Sequence, residues 1–86
     1  MPEICRFYGI VIRMHWDDHA PPHFHARYGE DEAELAIADR RVLDGSLPPR
    51  ALGLVIRWAV RHEAELIADW DRAQAHRPLL PIEPLP

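Results

Sequence analysis

Ile10-Val11-Ile12-Arg13-Met14-His15-Trp16 alternates along its length, with Ile10, Ile12, Met14 and Trp16 on one side and Val11, Arg13 and His15 on the other. A period of two marks a strand half-buried on a core. Two further runs repeat it. In His23-Phe24-His25-Ala26-Arg27-Tyr28, Phe24, Ala26 and Tyr28 share the inner face while His23, His25 and Arg27 share the outer. Glu32 to Ala38 sets Ala33, Leu35 and Ile37 inward against Glu32 and Glu34 outward. Turn formers separate the runs: Asp17-Asp18-His19-Ala20-Pro21-Pro22, whose prolines cannot donate to a ladder, and the short Gly29-Glu30-Asp31. Upstream, Gly9 marks a bend after Cys5-Arg6-Phe7-Tyr8. Downstream, Arg41-Val42-Leu43 adds a short strand before Asp44-Gly45-Ser46, where Ser46 is placed to cap a helix. Strands joined by such short turns form an antiparallel meander.

After Pro48-Pro49, which suit a first helical turn, the spacing becomes helical. Leu52, Val55, Ile56, Ala59, Leu66, Ile67 and Trp70 form one stripe within residues 50–75. One unbroken helix there would run about 40 Å, roughly twice the length of a five- or six-residue strand, so it must overhang the sheet or break. Glu63, inside the stripe, and His62, at its margin, mark the place for a break or a buried polar contact. Leu54 and Trp58 lie off the stripe and call for a second covering surface, from a homodimer or a partner protein. In the tail, prolines at 78, 81 and 84 repeat with the three-residue turn of polyproline II, reading as an extended tail packed on its own domain or as a docking arm. The expected fold is α+β in a single domain over 1–86. Residues 1–45 form a meander of three to four strands, 46–75 one long or two consecutive helices on one face, and 76–86 an extended Pro-rich tail.

Composition bounds the chemistry. A chain of 86 residues has room for one core. The single cysteine, Cys5, excludes an internal disulfide and a Cys-rich zinc site, so a metal would rest on His and carboxylates. It reads as a small core residue. No secretory leader and no stretch of roughly 20 apolar residues is visible, which predicts a cytoplasmic protein without membrane attachment. The net charge of −4 is concentrated in residues 29–45, where Glu30, Asp31, Glu32, Glu34, Asp39 and Asp44 face only Arg40 and Arg41. A nucleic-acid binder is usually basic, so only a local patch would serve that role.

Four of the six histidines, His15, His19, His23 and His25, fall within eleven positions. The strand pairing predicts an outer face of His15, His23, His25, Arg13, Arg27, Glu32 and Glu34. Three readings fit it. The first is a metal site, zinc or another divalent ion, on His23 and His25 of the H-x-H pair, with His15, His19, Asp17 or Asp18 as further ligands. The second is metal-independent acid-base chemistry on RNA by His and Arg. The third is a set of cross-strand ion pairs on a wet sheet face, each worth about 0.2–1 kcal/mol. Tyr8 and Tyr28 are placed on inward faces, outside any site. Trp16, Trp58 and Trp70 read as core or interface anchors.

The runs Ile4-Cys5-Arg6-Phe7-Tyr8-Gly9-Ile10, Asp18-His19-x-Pro21-Pro22-His23-Phe24-His25-Ala26-x-Tyr28-Gly29-Glu30 and Gly45-x-Leu47-Pro48-x-Arg50 belong together. With Trp58, Glu65-Leu66, Trp70, Pro78-Leu79, Ile82 and Pro84-Leu85, they resemble a bacterial family, domain of unknown function 4160. The resemblance covers essentially the whole chain. It implies a toxin-antitoxin-like pair with a partner of the domain of unknown function 2442 family, this chain being the toxin-like member, and favours an RNA-directed toxin or a binding subunit over a metabolic enzyme. If the chain cleaves RNA, the polar face read from the strands assigns His23 and His25 as acid and base, Arg27 and Arg13 as phosphate holders, and Glu34 as the group orienting one imidazole, with no cofactor expected. The alternative is a non-catalytic protein-binding or metal-binding module of a two-protein complex.

Overall fold

The structure, a computed structural model, describes residues 2–86. Five strands, one more than the longest expected meander, form a single antiparallel sheet in chain order: β1 (Glu3–Phe7), β2 (Ile10–Arg13), β3 (His23–Tyr28), β4 (Asp31–Ala36) and β5 (Val42–Gly45). The fifth strand is the Cys5 segment's own β1, which joins β2 through the two-residue turn Tyr8-Gly9. Both turn residues have positive φ, 48° and 80°, and Phe7 pairs directly with Ile10. That is the type I′ geometry whose twist matches a hairpin. Phe24 opposite Leu35 and Ala26 opposite Ile12 confirm the alternation read from the sequence.

Helices α1 (Pro49–Arg61) and α2 (Glu63–Gln74) follow, with the break at His62. Its φ of −121° leaves the helical region, and its amide bonds Ala59 O instead of continuing the ladder. Ser46 does not cap α1. Its amide is held by Glu32 O at the β4–β5 end, so the chain reaches Pro48 before helical geometry begins. No helix among the described residues is long and apolar enough to cross a membrane.

The buried helical face also differs from the expected stripe. Trp58 is the largest fully buried side chain, whereas Leu52 and Ile56 are half-buried and Ile67 is exposed. The indole packs 5.5 Å from Phe7 and 5.9 Å from Phe24, and its Nε1 donates to Glu83 O at 2.8 Å. Residues of the Pro-rich tail therefore cover it, with Ile82 and Leu85 buried and the Ile82 amide bonded to Ile4 O. The second surface that Trp58 required is supplied by the chain itself. Asp69, fully buried on α2, fastens the same tail: its Oδ1 accepts from Arg72 Nη1 at 2.8 Å and from the Leu80 amide at 2.9 Å.

Three aromatic placements are corrected. Trp16 lies outside the core because β2 ends at Arg13 and the chain turns at Asp17, whose φ is 60°; its indole donates to Arg77 O. Tyr8 and Tyr28, expected inward, are exposed at 60% and 41%, the first at the tip of the hairpin turn and the second at the last position of β3.

Candidate metal centre

The alternation of β3 puts His23 and His25 on the sheet face opposite Phe24 and Ala26, and register sets His25 between Arg13 of β2 and Glu34 of β4. After β2 the connection through residues 14–22 brings back two more polar groups. His15 comes to lie with its ring centroid 4.0 Å from that of His25, and Asp18 places Oδ2 2.9 Å from His23 Nε2 and 3.2 Å from His25 Nε2. The C-terminal end of α2 secures this loop: Gln74 Nε2 donates to Asp18 O, and His76 Nε2 stands 2.8 Å from Asp17 Oδ1.

These imidazoles are gathered as expected but not exposed as expected. His23 and His25 retain 5% and 9% of their accessible surface, because Trp70 of α2 lies 5.3 Å from the His23 ring and the Asp18 loop covers the rest. The outward face is thus enclosed at its His23 end. Arg27 and His19 stay outside it. Arg27 is exposed and its Nε donates to Gly29 O, while His19 is exposed and contributes only its amide, which donates to Asp18 Oδ1. Arg13 is half-buried next to His25 in register. Glu34 Oε1 and Glu32 Oε2 lie 3.7 and 3.6 Å from His25 Nδ1, outside hydrogen-bond range. The sequence offered Asp18 only as one of two acids in a turn. Trp70 as a wall of the site was missed, since contact between α2 and β3 leaves no local signal.

Protonation can be assigned where a partner has one role. Pro21 O can only accept, so His23 Nδ1, 2.8 Å away, carries the proton and donates. In the neutral ring Nε2 then bears a lone pair. It is buried, it points at a carboxylate oxygen 2.9 Å away, and it forms no hydrogen bond. His25 Nε2 donates to Asp18 Oδ2, leaving His25 Nδ1 buried without a partner, and His15 Nε2 is buried without one as well. Burial, and after it the charge of His25, hold His15 below the ordinary imidazole range, which keeps it in the neutral form that ligates metals. Burial raises the Asp18 carboxyl, but the hydrogen bond from His25, the His19 amide and the charges of His23 and His25 together hold it below the usual carboxylate range. An anion ringed by three imidazoles defines a pocket for a cation once the proton that His25 Nε2 shares with Asp18 is displaced.

Donor spacing fits one. Two ligands at about 2.0–2.1 Å from an ion stand about 3.3 Å apart in a tetrahedron and about 2.9 Å apart at a right angle. The Asp18 contacts to His23 and His25 span that range. The ligand atoms of His15, Asp18 and His25 all lie within 4.8 Å of one another, as do those of His23, His25 and Glu34. His23 also has the usual outer-sphere arrangement, one ring nitrogen fixed by a backbone carbonyl and the other free.

The comparisons add one finding. The family model described as domain of unknown function (DUF4160) matches residues 9–71, from the first hairpin into α2 and including every member of the cluster. No curated protein and no solved structure matches the chain.

Proposed function

Because this chain belongs to the domain of unknown function (DUF4160) family, whose description carries no activity, its function is read from the site, and we propose that it is a metal-binding module. One divalent transition-metal ion of the zinc class is held by His15, Asp18 and His25, and His23, whose Nε2 lies 2.9 Å from Asp18 Oδ2 but belongs to a second group with His25 and Glu34, joins as fourth ligand when side-chain rotation draws the two groups onto one ion. Three imidazoles and one carboxylate fill four positions and leave none open for a hydrolytic water. An ion bound at His25 Nε2 would shift the ring's one proton from Nε2 to Nδ1, where Glu32 and Glu34, 3.6 and 3.7 Å away, would be the carboxylates that receive it. Bound there, it pins the 14–22 connection to β3. The observation that carries this reading is the buried His23 Nε2, which lies 2.9 Å from Asp18 Oδ2 without forming a hydrogen bond to it.

RNA cleavage by His23 and His25 draws less support. A general acid or base must come within about 2.6–3.2 Å of the proton it moves, and both rings are shut behind Trp70 and the Asp18 loop. Membership of a two-protein pair rests on the family resemblance, and in that setting the module acts by binding, without turnover. Elemental analysis of protein saturated with zinc and then desalted tests the assignment. About one zinc per chain is expected for the wild type and much less for the His23→Ala variant, whereas sub-stoichiometric metal in both removes the proposal.

A further inference from the structure

The geometry points to a second site, at the other end of β3 and on its other face: a groove that binds a nucleoside 5′-monophosphate. The groove has a volume of about 640 Å³ and lies between the β1–β2 turn, the end of β3, the first turns of α1 and the last residues of the tail. Its lining includes Tyr8, Tyr28, Arg50, Leu54 and Arg57. That volume is in the range of small-molecule sites, about 300–1,000 Å³. The inference is independent of the metal centre, from which the groove is separated by the sheet.

Charge identifies one part of the ligand. In a chain of net charge −4, no carboxylate side chain lines the groove. Arg50 and Arg57 are seven apart on α1, hence on one side of the helix and about 10 Å apart along its axis. Among the described residues neither forms an ion pair or a side-chain hydrogen bond, a freedom they share with Arg13, Arg41, Arg61 and Arg77, and their place in the groove is what sets them apart. Beside Arg50, α1 opens with no side-chain cap and no acid in its first turn. The first bond of its ladder runs from the Leu52 amide to Pro48 O, which leaves the Arg50 and Ala51 amides without intrahelical partners. A guanidinium next to two free amides at a helix amino end suits a phosphate.

The aromatic groups identify the other part. Tyr8 occupies a type I′ position at φ 48°, where Asn, Asp or Gly relieve the strain and a bulky side chain does not. The Tyr8 hydroxyl donates to Pro86 O at 2.7 Å, which ties the turn to the tail and fixes the ring at the mouth of the groove. Gly9 adds to this. A Cβ there would come 3.3 Å from Tyr28 Cε1, so the glycine lets the Tyr28 ring lie against the turn. Two exposed rings and a planar guanidinium, Arg57, then flank a partly apolar floor, and a nucleobase stacks on such surfaces irrespective of its hydrogen-bonding edge. An inorganic anion would leave the rings unused, and a bare nucleoside would leave the guanidinium groups unused.

Isothermal titration of the full chain with adenosine 5′-monophosphate tests this. A dissociation constant below about 1 mM is expected, with adenosine and inorganic phosphate each at least about tenfold weaker. Arg50→Ala and Arg57→Ala should each weaken binding by about tenfold, while Arg61→Ala on the same helix should not. Tyr8→Phe, which loses only the hydroxyl bond to Pro86 O, should bind like wild type, while Tyr8→Gly, which loses the ring as well, should bind about fivefold or more weakly. Folding of each variant is verified by circular dichroism. The proposal is overturned by no binding at several millimolar, by phosphate binding as well as the nucleotide, by arginine variants that bind like wild type, or by binding of a single-stranded oligoribonucleotide alone.

Discussion

Adding zinc to metal-free protein should raise its melting temperature, by an amount that follows from linkage. A ligand at one hundred times its dissociation constant stabilises the folded state by about 2.7 kcal/mol when the unfolded chain does not bind it. A domain of this size shifts by about 4–8 °C per kcal/mol, so the rise should be about 11–22 °C. Removing the His23 donor, whose Nε2 lies 2.9 Å from Asp18 Oδ2, should weaken binding by at least about tenfold, or 1.4 kcal/mol, and lower the rise by about 6–11 °C. Glu34→Gln, which leaves all four donors in place but removes a carboxylate facing His25 Nδ1, should cost a similar amount. His19→Ala should keep the full rise, because that exposed ring belongs to neither ligand group. The assay is differential scanning fluorimetry with zinc titrated in and then removed by a chelator. The reasoning is refuted by an equal rise in wild type and His23→Ala, by a loss in His19→Ala as large as in His23→Ala, or by no rise at about 100 μM zinc.

The fold makes three further predictions. Asp69→Ala leaves Arg72 and the Leu80 amide without their acceptor and should cost about 3–5 kcal/mol in chemical denaturation, with faster proteolysis of the tail. Gly45→Ala should destabilise by more than about 1 kcal/mol, since the position has φ 73° and its Cβ would fall 2.1 Å from Glu32 O. Gly53→Ala, inside α1 with nothing within 4 Å, should stabilise by about 0.5–1 kcal/mol. Cys5, whose thiol is pushed up chiefly by burial, should react slowly with a thiol reagent at pH 8 in native protein and rapidly in denaturant; fast native labelling contradicts its core placement.

Local signals were legible and non-local ones were not. The bounds of β3 followed from strict alternation between Pro22 and Gly29. The end of β2 was misplaced because Trp16 is apolar and in phase, while the turn at Asp17 depends on a backbone conformation that no side-chain pattern reveals. In α1, nearly apolar all round, periodicity cannot choose a face. The choice falls to Phe7, Phe24 and the tail, which enclose Trp58. The histidine cluster was legible because H-x-H on a strand must share a face. Its enclosure was not, because Trp70 is brought there by a helix forty-five or more residues away in sequence.

That enclosure weighs against reading the cluster as cross-strand ion pairs. Such pairs stand on a wet face, where both members stay hydrated and an unmade bond costs little. Here His15 Nε2, His23 Nε2 and His25 Nδ1 are buried without partners, at about 1–3 kcal/mol for each such group. Set against a net stability of about 5–15 kcal/mol, the sum is large for a domain of 86 residues. Apolar residues at the same positions would remove that cost and keep the sheet. Two of the three unmade bonds, at His15 Nε2 and His23 Nε2, are explained when a cation beside Asp18 accepts their lone pairs and offsets its charge, while His25 Nδ1 faces Glu32 and Glu34. The ion-pair reading predicts that His23→Leu, which leaves Asp18 without its partner at 2.9 Å, destabilises the protein by the same amount with and without zinc. On the metal reading, the gap in melting temperature between wild type and His23→Leu widens once zinc is added, because only the wild type gains the ion, and fluorimetry reads that widening directly.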